Sequence, residues 1–126
     1  MRILFAASTT ICALLGIAHL GFGVVTYRQL SPEAVWFAGT GVAQVLFAAL
    51  NWATLAGPPL RPRVRRMVLA LDVLMVAFGV VVVRAVPEPQ AYVLLATFIG
   101  IGFSGVFTSQ QRESATVAAT EPPNRR

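Results

Sequence analysis

Residues 67–86 read MVLALDVLMVAFGVVVVRAV, and the choice between strand and helix for this stretch decides the fold. Its wealth of valine would suit a buried β-strand in water. Length argues the other way. About 20 predominantly apolar residues make a membrane-spanning helix, whereas a lone strand in lipid would leave its backbone donors and acceptors unpaired.

Three further apolar runs lie outward from it, at 3–27, 34–56 and 90–109. Helix breakers separate them all: Ser31, Pro32 and Glu33 mark a helix start, Gly57, Pro58 and Pro59 a stop, and Pro87 and Pro89 close the third run. The chain has 126 residues, a mean hydropathy of +0.72, 56% hydrophobic residues and 12% charged ones. That is too little charge to coat a soluble globule. The expected fold is all-α: a polytopic membrane protein forming one four-transmembrane-helix bundle over 1–109. Arg2 ahead of the first run invites a signal-peptide reading, but the run exceeds a typical h-region of about 7–15 residues and has no A-x-A site, so it is expected to stay as the first crossing. Residues 110–126 lack apolar periodicity after Val117 and are expected to form a disordered cytoplasmic tail.

All ten basic residues are arginines, against five acids, for a net charge of +5. The arginines flank apolar runs, with no aromatic interleaving and no nucleic-acid fold signature, so they serve topology rather than nucleic-acid binding. Four crossings place Arg2, Arg61, Arg63, Arg65, Arg66, Arg112, Arg125 and Arg126 on one side, and Arg28 and Arg84 on the other. The positive-inside rule then predicts both termini in the cytoplasm, in a bacterial inner membrane. The central arginines are topology determinants first and contacts for anionic lipid second. Glu33 and Glu88 offset Arg28 and Arg84 in the outer connectors. Trp36 and Tyr92 sit just inside the outer helix ends and Trp52 near an inner one, as an interfacial aromatic belt requires.

His19, Gln44, Asn51 and Asp72 interrupt the apolar runs and form the candidate intramembrane polar site. Counting about 1.5 Å per residue puts Asn51 and Asp72 at a common depth, roughly 9 Å from the cytoplasmic boundary, with Ser8, Thr9 and Ser104 near that level. His19, Thr40, Gln44 and Thr97 fall in the outward half or near the midplane. Two polar layers are therefore expected. Thr40, Gln44, Phe47 and Asn51 are spaced by 4, 3 and 4, which puts them on one inward face, and Thr97, Ile101, Ser104 and Thr108 repeat the spacing. Cys12, Gly16, His19 and Gly23 do so again, and Gly16, Gly23, Gly100 and Ser104 are the small residues expected to let helices pack closely.

Each polar residue has a bland reading beside a chemical one. His19 is either a packing histidine with one interhelical hydrogen bond or a ligand or proton-relay group. Asp72 is either hydrogen-bonded to Asn51 and nearby hydroxyls, or reaching toward Arg65 and Arg66, or a carboxylate that couples proton movement to transport. Gln44 and Asn51 read as interhelical glue. Metal and cofactor chemistry is not expected: Cys12 and His19 are two ligands where zinc needs four, and a single histidine cannot supply two axial haem ligands. No nucleophile–base pair, P-loop or dinucleotide fingerprint is present, so no catalytic residue is assigned.

The first half, with Gly16, His19 and Gly23, then Trp36, Phe37, Gly39 and Gly41, then Leu50 and Asn51, resembles a family of small uncharacterised bacterial four-helix membrane proteins with the loose pattern G-x-x-H, W-F-x-G-x-G and L-N. The resemblance implies a membrane location and supplies no activity. In length and number of crossings the chain is also similar to the small multidrug resistance transporters. Their coupling glutamate lies in the first helix, which has no acid here. The expected function is thus a non-enzymatic interaction or accessory module whose partners are the lipid bilayer and a second copy or another membrane protein. The alternative is a small proton-coupled transporter or permease using Asp72.

Overall fold

Three of the four helices begin on a proline. The structure, a computed structural model, places α1 at Arg2–Thr26, α2 at Pro32–Ala56, α3 at Pro62–Ala85 and α4 at Pro89–Thr120. It describes residues 1–58 and 60–120, with side chains through 107. Proline suits the first helical position because its φ is already helical and its missing amide hydrogen has no partner to lose there. At α2 the start is reinforced by Ser31, whose hydroxyl accepts from the Ala34 amide at 3.2 Å.

Two boundaries differ from those expected. The third helix starts at Pro62 rather than 67, so Arg61 is its N-cap and Arg63, Arg65 and Arg66 occupy its first turns. Arginine propagates a helix nearly as well as alanine, and Pro62 supplies the start. The fourth helix continues through 110–120, where a disordered tail is expected from the sequence. Gln110, Gln111, Arg112, Glu113, Ala115, Ala118 and Ala119 are mostly good helix formers, and extending an existing helix avoids the cost of nucleation. The rest of that tail, 121–126, lies outside the described residues.

All four helices are long and apolar enough to cross a membrane, α4 over Pro89–Phe107. The polarity of the described residues is inverted relative to a soluble protein. Ile3, Val24, Val25, Trp36 and Met67 are among many large apolar side chains left exposed, while Ser8, Thr9, Gln44, Asn51, Asp72, Thr97 and Ser104 are buried. Water would penalise both choices, and lipid favours both.

The helices run alternately up and down. α1 packs on α2 and α4, and α4 on α3, whereas α2 and α3 barely meet. The bundle is a ring with one open seam. Close approach at the packed seams depends on glycine: a Cβ on Gly16 would lie 2.9 Å from the Gly41 carbonyl oxygen, and one on Gly41 would lie 2.8 Å from Leu20 Cγ. Further along, Gly23 lies under the Phe37 ring, Gly79 under Leu95 and Phe98, and Gly100 directly against Ser8 Oγ. Phe5, Cys12, Phe47, Ala48, Leu94, Phe98 and Ile101 form the apolar core between these seams.

Candidate functional site

The face of α2 defined by Gln44, Phe47 and Asn51 points inward, and all three side chains are buried. The environments of its two polar members differ. Toward the arginine-rich end of the bundle, Asn51 Nδ2 donates to Asp72 Oδ1 at 3.3 Å and to its own helix at Phe47 O at 3.1 Å. Asn51 is 1% exposed and Asp72 2%. On α4, Gly102 and Gly105 leave room for the carboxylate: a Cβ on Gly105 would lie 3.5 Å from Asp72 Oδ2. Asp72 Oδ2, Asn51 Oδ1 and Thr9 Oγ1 have no hydrogen-bond partner among the described residues. Arg65 is half-buried at the start of α3, while Arg61, Arg63 and Arg66 are exposed.

Between the layers sits an apolar plug. Phe47 lies three residues from Gln44 and four from Asn51, and its ring meets Phe98 edge-on with centroids 5.6 Å apart. Phe98, Ile101 and Cys12 are each 0% exposed. The Cys12 thiol donates to the Gln44 carbonyl oxygen at 3.7 Å, which ties α1 to α2 at this level. Ser104 is likewise fully buried, and the side chain of Thr108 lies outside the described residues.

Toward the opposite end the packing opens into a cavity of about 750 Å³, lined by parts of all four helices and most heavily by α2. His19 and Gln44 both line it, as does Thr40. The His19 ring is stacked on Phe37, with centroids 3.6 Å apart and planes inclined by 14°. Gln44 is 4% exposed, and its Oε1 has no hydrogen-bond partner among the described residues. The hydroxyl of Thr40 donates to Trp36 O at 3.0 Å and that of Thr97 to Val93 O at 2.7 Å, so both protons are used within their own helices. The mouth carries Glu33 and Glu88, and the exposed rings of Trp36 and Phe78 flank the open seam.

The four polar residues thus belong to two sites: Asn51 with Asp72 in a buried pair, and His19 with Gln44 on a cavity wall. Phe37, Glu33 and Glu88 belong to the second site and were not singled out as site residues from sequence. The signal existed on α2, because Glu33, Phe37, Thr40 and Gln44 continue the spacing of 4, 3 and 4 toward the helix start. Phe78 and Val82 of α3 carry no such mark within an unbroken apolar run.

No family model, curated protein or solved structure matches the chain.

Proposed function

We propose that this chain is a non-enzymatic accessory protein of the bacterial inner membrane that holds a small amphipathic molecule in the cavity lined by His19 and Gln44. That cavity carries the reading. At about 750 Å³ it falls within the range of small-molecule sites, about 300–1,000 Å³, and it is largely apolar with a few polar groups, as such sites are. The excess of arginine on one side supports cytoplasmic termini, which turns the cavity to the outward half of the membrane. Nothing in the lining pairs a nucleophile with a base, so the reading is retention of a molecule rather than its conversion.

The test uses neutral diphenylhexatriene in nanodiscs with a tryptophan-free scaffold holding the Trp52→Phe protein, so that Trp36 at the cavity is the sole tryptophan donor. Saturable transfer from Trp36 that is weakened in Val82→Phe, a variant that narrows the cavity, is the expected result. Transfer that rises only with probe in the lipid, equally in both proteins, would remove the ligand-binding role.

A second reading, proton-coupled transport through Asp72, draws on that buried carboxylate and its oxygen with no described partner. The plug of Phe47 and Phe98 between the two layers weighs against it, because a permeant needs a continuous polar path. Proton-linked flux in vesicles that disappears in Asp72→Asn would support this reading over the first.

A further inference from the structure

We infer that the cavity takes an amphiphile whose head group is an organic ammonium cation. The inference rests on the proposed ligand-binding role and adds the chemistry of the ligand. In a chain with ten arginines and five acids, the charged residues lining this cavity are Glu33 and Glu88, and no arginine is among them. Arg28 and Arg84, the arginines at this end, stand outside the lining, and among the described residues neither forms an ion pair with either glutamate. The neighbours of the carboxylates are neutral: Glu88 accepts from Gln90 Nε2, and Ser31 stands two residues before Glu33. Neutral partners leave both negative charges in place.

Helix dipoles do not cancel those charges. Glu33 in the first turn of α2 and Glu88 just before α4 face the positive ends of those helices, but about half a unit of charge at each N-terminus is smaller than the full negative charge of each carboxylate. Aromatic faces add to the same preference, because Trp36 and Phe78 line the cavity and the ring quadrupole attracts organic cations.

Depth sets the shape of the ligand. From Pro32 to Gln44 the wall of α2 descends about 18 Å, from the end of the helix to near the middle of the membrane. Carboxylates stand at the top of that wall, and Leu15, Phe78, Val82 and Leu94 surround the space below. A charged head belongs at the mouth and an apolar body beneath it.

Three probes with one apolar body separate the possibilities: diphenylhexatriene, its trimethylammonium derivative and its propionic acid derivative. Energy transfer from Trp36 is followed in the Trp52→Phe protein in nanodiscs, at matched loading of probe in the lipid. The cationic probe is expected to bind about tenfold more tightly than the anionic one, the effect of two partly screened carboxylates. The preference should vanish in Glu33→Gln/Glu88→Gln, with helix content unchanged by circular dichroism, and shrink as salt is raised. Equal binding of all three probes, or a preference that survives in the double variant, would overturn the ammonium assignment and leave the cavity as a ligand site. Saturable binding of none would overturn both.

Discussion

Asn51 Nδ2 donates to Asp72 Oδ1 at 3.3 Å across the seam where α2 and α3 otherwise barely meet. The bond needs an acceptor at 72, not a charge. Asp72→Asn keeps an oxygen for Asn51 and removes the cost of a buried carboxylate, so its stability is expected to equal or exceed that of the parent. Asn51→Ala leaves both carboxylate oxygens without the amide, at a cost of about 1–2 kcal/mol. Unfolding by steric trapping in bicelles measures both, and a reversed order would show that the charge itself holds the seam.

Glycine positions give a sharper contrast. A Cβ on Gly16 would meet the Gly41 carbonyl oxygen and Val45 Cγ2 at 2.9 Å, whereas one on Gly21 or Gly39 meets nothing within 4 Å. Gly16→Ala is expected to destabilise by about 1–3 kcal/mol through forced separation of α1 and α2. Gly39→Ala, at an open site on a helix, should be neutral or stabilising by about 0.5–1 kcal/mol. Equal effects in thermal unfolding would contradict the packing of this seam.

Much of this was readable in the chain beforehand, for a physical reason. Helix length in lipid is fixed by membrane thickness, so residues 67–86 and their three counterparts announce themselves by extent alone, and breakers such as Gly57 and Pro87 separate them. Depth follows from counting, which brings Asn51 level with Asp72. What counting cannot give is which seam stays open. The cavity exists because α3 stands away from α2, and nothing in the run around Phe78 and Val82 encodes that distance. The starts of α3 and the length of α4 were hidden for another reason, since arginine, glutamine and alanine continue a helix in water as readily as apolar residues do in lipid.

Gly100 and Ser8 form the contact between α1 and α4 most open to a paired test. A Cβ on Gly100 would collide with Ser8 Oγ, so Gly100→Ala should weaken the bundle. Adding Ser8→Ala removes the colliding oxygen and is expected to restore at least half of the loss. A double variant no better than Gly100→Ala alone would place the strain elsewhere.

Cys12 reports on the integrity of the plug. It is 0% exposed and its thiol is engaged by Gln44 O, so a small neutral maleimide should leave it unlabelled in folded protein and modify it on unfolding. Phe98→Ala, which removes a ring from the plug, is expected to speed labelling by more than tenfold. Rapid modification of the parent protein would mean that the core admits reagents freely.

The open seam between α2 and α3 has a consequence for how affinity is expressed. Trp36 and Phe78 line the cavity and are exposed on the apolar surface, so a ligand of the proposed kind would reach it from within the bilayer, not only from water. Occupancy then follows mole fraction among the lipids. Compounds of equal intrinsic fit would rank by their partition coefficients, and adding empty vesicles would lower apparent potency without touching a single contact.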